Sequence, residues 1–158
     1  MTSANTVTPS RFTATTPLAV LGAAGVATGG VLHLLIWNHT YRPIPDGAVP
    51  GLWVVKDGFP VNAASSLAIA VALLLFAFAA IARLGRLALL GALGLELSSI
   101  GVLLLSKGPG IFGWKEAWTS DAKHVIAVEI ATTVVLALTL AVDMRRANHP
   151  PNPAPDNY

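Results

Sequence analysis

The 158-residue chain has no cysteine. That absence excludes disulfide staples, thiol redox chemistry and Cys-ligated zinc or iron–sulfur centres. Charge is also scarce: ten Lys and Arg stand against eight Asp and Glu, 11% of the residues, where a soluble domain carries about 25%. A protein this small cannot cover a water-facing surface with so few charges, which excludes a water-soluble monomer. The formal net charge of +2 is too weak to argue for nucleic acid. Disorder over most of the length is excluded as well, because 54% of the residues are hydrophobic and disorder requires the opposite balance.

What the chain does have is four long apolar runs, at 17–37, 61–82, 87–106 and 124–142. Each is close to the roughly 20 residues a helix needs to cross a hydrocarbon layer of about 30 Å. Backbone amides inside lipid must be paired within the segment, so helices rather than strands are expected. The runs are rich in Ala and Leu, have no interior proline, and carry formal charge only at Glu96 and Glu129. Helices buried in a soluble bundle usually keep a polar face; these do not. The first run is read as a retained helix, not a cleaved signal, because its apolar stretch continues through Val31–Trp37 past the small residues at 22–30.

Arg83-Leu84-Gly85-Arg86 reads as a tight joint between the second and third helices, and the stretches 38–60 and 107–123 read as longer loops. With four spans, both long loops lie on one side and the joint and both termini on the other. Lys and Arg divide evenly: Arg11, Arg83, Arg86, Arg145 and Arg146 on the terminal side, and Arg42, Lys56, Lys107, Lys115 and Lys123 on the loop side. The two arginine pairs abut helix ends, where the positive-inside rule weighs most, so both termini are expected in the cytoplasm. Trp37, Trp53, Trp114, Trp118 and Tyr41 all fall on the loop side, as ring anchors at a lipid–water boundary do. If 114–118 is helical, Trp114 and Trp118 share a face that lies flat on the surface. Residues 1–16 and the proline-rich tail 143–158 are expected to be flexible.

Ionisable groups within a bilayer cost about 2.5–3.5 kcal/mol on insertion scales and so mark candidate functional positions. Gly25, Gly29, His33 and Trp37 recur every four residues, a small-residue stripe that lets a neighbouring helix approach and sets His33 on a packed interface. His33 is either a metal or haem ligand or proton-transfer group, or a neutral imidazole bonded to a hydroxyl or carboxylate; the second reading is preferred. Glu129 starts a polar stripe with Thr132 and Thr133, about 9 Å from the outer end of its helix. It is expected to pair with His33 or a lysine, or else to hold its proton. Glu96 is expected to face the bundle centre, with Gly91, Gly94, Ser98 and Gly101 turned to a neighbouring helix or subunit. Asn62, Ser65 and Ser66 open the second helix with a short polar face at the depth of His33 and Glu129. His39 and His124 read as interfacial residues. Gly108-Pro109-Gly110 is a turn and not a phosphate loop, since no Lys-Ser/Thr pair follows.

The stretch Gly110-Ile-Phe-Gly-Trp-Lys-Glu116, the later Glu129-Ile-Ala131, and His33-Leu-Leu-Ile-Trp-Asn-His39 resemble a pattern in small, functionally uncharacterised four-span membrane proteins of high-GC Gram-positive bacteria. The resemblance covers roughly half of the chain and keeps an aromatic-to-acid spacing at Phe112 and Glu116. It implies a fold and a bacterial plasma membrane, and no activity.

The expectation is therefore an all-α protein, a transmembrane four-helix antiparallel bundle. Its most favoured role is a non-enzymatic accessory or small-ligand-binding subunit with an outward-facing polar pocket. The pocket would be built from His33, Asn62, Glu96 and Glu129, with His33 and Glu129 in direct or water-bridged hydrogen-bond range. The rivals are a metal- or haem-binding redox protein and an oligomeric proton-coupled transporter. The sequence names no cofactor and no catalytic residue. The expected partners are the lipid bilayer and a second copy or a larger membrane complex, not nucleic acid.

Overall fold

A computed structural model describes residues 15–79 and 82–148, and all of its regular elements are helices apart from one isolated β-bridge. Helix α1 covers Thr15–Ile36 and α2 covers Leu52–Ala79; α3 covers Ala82–Lys107 and α4 covers Ser120–Asn148. All four are long and apolar enough to cross a membrane. Helix α1 packs against α2 and α4, and α3 packs against the same two, so α1 and α3 face each other across the diagonal of a four-helix ring. One apolar cluster joins Ala23 and Val26 early in α1, Ala70 and Leu73 late in α2, Leu89 and Ala92 early in α3, and Leu136 late in α4. Early and late segments meet at one level only if consecutive helices run antiparallel.

The molecule wears its apolar residues outside. Leu21, Leu75, Leu90, Leu97, Val134 and Leu138 are each more than half exposed, while Glu129, Thr139, Ser66 and Glu96 are buried. Exposed apolar surface on this scale needs a nonaqueous solvent, and the bilayer supplies it. Between such helices lipid gives no hydrophobic drive, so close packing and hydrogen bonds must hold the bundle. The small residues of α1 permit that packing. A Cβ at Gly25 would sit 2.4 Å from the Thr132 hydroxyl oxygen, and one at Gly30 would sit 2.8 Å from the Ser66 Cβ. Helix α1 is thus wedged against α4 on one side and α2 on the other.

Three tiers result along the bundle axis. The apolar cluster fills the end near the termini, where Arg86 Nε also donates to Asp143 Oδ2 at 2.5 Å. Next comes a polar tier containing His33, Ser66, Glu96, Ser99, Glu129 and Thr132. The loop end is closed by Tyr41, Leu52, Val55 and Trp114, with Phe59 and Ile44 against them.

Several sequence expectations need correction. Helix α2 begins at Leu52, so residues 52–60, read as loop, are helical, with Pro60 inside the helix. Proline in a helix interior removes a hydrogen bond and costs about 3 kcal/mol. Here Leu52, Val55 and Phe59 repay that cost by packing onto Tyr41 and Trp114. Residues 83–86, read as a joint, belong to α3, and the connection falls at 80–81, outside the described residues. Thr15 and Thr16 of the segment expected to be flexible start α1, and 143–148 of the expected tail complete α4; the rest of both, 1–14 and 149–158, lies outside the described residues. Residues 114–118 do not form a helix. Ile111 and Trp114 exchange two backbone hydrogen bonds of 2.8 Å across Phe112 (φ 47°) and Gly113 (φ 85°), a two-residue hairpin with both central residues left-handed. Trp114 therefore turns into the core while Trp118 stays 46% exposed.

Candidate functional site

Helix α1 does not stop cleanly at Ile36. A single wide turn at Trp37–Tyr41 follows, closed by the Arg42 N–H donating to the Trp37 carbonyl five residues back at 2.8 Å. Such π-turns insert one residue into the helical register and recur at functional sites. This turn carries Tyr41 inward, where it is 3% exposed. Its hydroxyl donates to Glu116 Oε1 at 2.6 Å. Lys107, at the end of α3, donates to Glu116 Oε2 and to the Ala117 carbonyl, the latter at 2.9 Å. The Glu116 N–H in turn donates to the Ser106 carbonyl at 3.0 Å. These bonds tie the 108–119 loop to α1 and α3 as a bracket across the loop end.

Below the bracket lies a cavity of about 320 Å³ bordered by all four helices. Its walls are mostly apolar, from Ile36, Val55, Phe59, Leu95, Leu103 and Val125; its inner end is polar, from His33, Asn62 and Ser99. The Phe59 ring lies 4.8 Å from the His33 ring and 5.0 Å from the Tyr41 ring, centroid to centroid, and so links floor to bracket.

At the floor, His33 Nδ1 is 2.8 Å from the Gly29 carbonyl. A carbonyl only accepts, so Nδ1 carries a hydrogen. The other ring nitrogen, Nε2, lies 3.3 Å from Ser99 Oγ and 3.5 Å from Glu129 Oε1, and Ser99 Oγ is hydrogen-bonded to that same Glu129 oxygen. Two complete patterns fit these positions. In one, protonated Nε2 donates to Ser99 and Ser99 donates to the Glu129 carboxylate. In the other, protonated Glu129 donates to Ser99 and Ser99 donates to neutral Nε2. The two differ by one proton's location and by no heavy-atom movement. The three residues therefore form one hydrogen-bonded chain, compatible with either proton position, that crosses the α1–α3 diagonal and ends on α4.

The His33–Glu129 approach expected from the sequence is present, with Ser99 between them. The four residues expected to form one pocket border one narrow crevice, together with Gly29, Ser66, Leu95 and Ser99. His33, Asn62 and Ser99 line the larger cavity as well, while Glu96 and Glu129 stand behind it. Glu96 is 4% exposed, and its face turns inward as expected. A Cβ built at Gly91, Gly94 or Gly101 meets nothing within 4 Å, so that seam faces away from the bundle. Asn62 Oδ1 accepts from the Ser66 hydroxyl at 3.0 Å, which leaves its amide N–H groups to the cavity it lines. The second Glu129 oxygen, Oε2, is buried without a hydrogen-bond partner. His39 and His124 are exposed. Among the described residues no three His, Asp or Glu side chains converge as a metal ion requires.

Sequence reading missed Tyr41, Lys107 and Glu116 as partners and gave Ser99 only a supporting place. Tyr41 and Glu116 lie 75 positions apart, and only the bundle brings them together. The available signal was two charges, Lys107 and Glu116, bracketing a glycine-rich turn. No family model, curated protein or solved structure matches the chain.

Proposed function

We propose that this integral membrane protein binds a small molecule in the loop-end cavity without chemically transforming it. The single observation behind this reading is the cavity itself: about 320 Å³, at the low end of the roughly 300–1,000 Å³ found for small-molecule sites. It has an apolar middle between a polar inner end at His33, Asn62 and Ser99 and a polar loop end at Lys107, Glu116 and Asp121. Asn62 and Ser99 contact the ligand's polar end beside His33; Glu129 and Glu96 stand behind them. The resemblance noted above supports a bacterial plasma membrane, the arginine pairs support cytoplasmic termini, and the open glycine seam on α3 supports association with a second copy.

The test is extraction in mild detergent followed by mass spectrometry of what is released on denaturation. The expected result is one small molecule in stoichiometric amount. Val54→Phe, which fills the cavity from its wall, should lose that molecule while circular dichroism stays helical. A full complement of the molecule in Val54→Phe refutes the reading.

A second reading rests on the His33–Ser99–Glu129 chain: the protein moves a proton between the cavity and Glu129 as the ligand binds. In that case Ser99→Ala abolishes proton uptake on ligand addition, while Ser99→Thr retains it.

A further inference from the structure

The cavity has a rim at each of two depths. At the loop end, Thr40, Thr119 and Asp121 line it and are exposed. On the flank, Gly58 of α2 and Ser98 and Val102 of α3 also line it and are also exposed. Val102 and Ser98 precede Lys107, the last residue of their membrane span, by five and nine positions. At about 1.5 Å per residue they lie about 7 and 13 Å inside that end, within the apolar layer. Gly58 leaves this flank bare, because a Cβ there meets nothing within 4 Å, and the exposed Ser98 hydroxyl is turned back onto the Gly94 carbonyl at 2.6 Å. The loop end, by contrast, is spanned by the Tyr41–Glu116–Lys107 bracket.

The charges around the cavity are already committed. Lys107 and Glu116 neutralise each other, His33 is held by Gly29, Ser99 and Glu129, and Asp121 stands exposed at the loop-end rim. A charged group carried past that rim to the floor would be stripped of water with no uncommitted opposite charge to receive it, which is costly. A neutral molecule with an apolar body meets no such penalty. The hydrogen-bonding capacity left at the floor is a second lone pair on Ser99 Oγ and the amide N–H groups of Asn62, whose Oδ1 takes the Ser66 hydroxyl; together they match a hydroxyl or carbonyl oxygen.

From these observations we infer that the cavity is a side pocket of the bilayer: it receives a neutral, lipid-dissolved molecule with an oxygen-bearing head, such as a phenol, alcohol or ring ketone, through a lateral mouth between α2 and α3. This rests on the cavity being a small-molecule site. The head reaches Asn62 and Ser99, the apolar body lies along Phe59, Leu95 and Val102, and the remainder of the molecule stays in lipid.

The experiment uses the full chain in lipid nanodiscs and two photoreactive probes. One is a decyl-chain phenol bearing a diazirine, and the other is its sulfonated, water-confined analogue. Labelled positions are mapped by mass spectrometry. The decyl phenol is expected to label the segments around Asn62 and Ser99, and the sulfonated analogue is not. Narrowing the mouth by Gly58→Leu or Val102→Trp should reduce the labelling about tenfold, the equivalent of a tenfold loss of affinity. Leu97→Trp, equally exposed on α3 but off the cavity, should leave it unchanged. Floor labelling by the sulfonated analogue, or undiminished labelling in both mouth variants, overturns the lateral mouth while leaving a ligand cavity in place. If neither probe labels the floor although the decyl phenol labels the lipid-facing helices, the small-molecule reading itself is overturned, and the lateral mouth with it.

Discussion

Replacing Gly25 by alanine puts the packing of α1 against α4 under direct load. The added Cβ would lie 2.4 Å from Thr132 Oγ1, 3.0 Å from its Cγ2 and 3.1 Å from its Cβ. Rotating the threonine relieves the first contact but not the last, so the helices must part by several tenths of an ångström up to about 1 Å. Overpacking of this kind costs about 1–3 kcal/mol. The glycine-to-alanine gain in helix propensity offsets about 1 kcal/mol of that, leaving a net loss of about 0–2 kcal/mol. The assay is reversible unfolding in mixed micelles by increasing the fraction of a denaturing detergent. Thr132→Ala removes two of the three close atoms, so the double variant should be more stable than the two single effects predict, by about 0.5–1 kcal/mol of coupling. The same parting lengthens the 3.5 Å His33–Glu129 approach, which the imidazole 15N shifts of His33 will register. Strict additivity in the double variant refutes the argument that this glycine sets the α1–α4 distance.

Three further outcomes follow from the geometry. Ser99→Ala removes the hydroxyl between His33 and Glu129 and should cost about 0.6–2 kcal/mol, the range for hydrogen bonds between membrane helices; Ser99→Thr should restore most of it in the same micelle titration. Gly51→Ala asks an L-residue to hold φ at +77° and places a Cβ 2.6 Å from the Phe112 carbonyl oxygen, so the two loops should separate, read as protease cleavage between 108 and 119 at enzyme levels that leave the wild type intact. Gly94→Ala meets no neighbour within the chain and should leave the bundle unchanged or up to about 1 kcal/mol more stable; a loss of monomer stability would mean that the seam faces inward after all.

Span number and helical class were legible because lipid exposure is written into composition: a face that meets acyl chains must be apolar wherever it points. The inward turn of Glu96 was legible for a related reason, since a carboxyl and a glycine seam about 200° apart on one helix cannot both face the same partner. The early start of α2 was not legible. Locally, Gly58 and Pro60 both argue against helix, and only contacts with Tyr41 and Trp114, from two other parts of the chain, overturn that preference. The hairpin at 111–114 was hidden likewise, because Phe112 accepts a left-handed backbone that its side chain alone does not favour. Ser99 stood one turn from Glu96 in plain view. Its role depends on the rotation of α3 about its own axis, which a spacing rule leaves open to within a helical face.

The position of the polar tier separates structural glue from a working site. The tier nearest the termini is held mainly by packing of Ala23, Val26, Ala70, Leu73, Ala92 and Leu136, with the Arg86–Asp143 bond at its edge. A histidine and two glutamates add an insertion cost on top of that. If their purpose were adhesion, every polar atom would be satisfied and the group would sit where packing is tightest. Neither holds: Glu129 Oε2 is left without a partner, and the His33 ring borders the cavity with its Nε2 only loosely engaged, 3.3 Å from Ser99 and 3.5 Å from Glu129. The capacity left beside the cavity, on Ser99 Oγ and the Asn62 amide, lies where an incoming oxygen atom would use it.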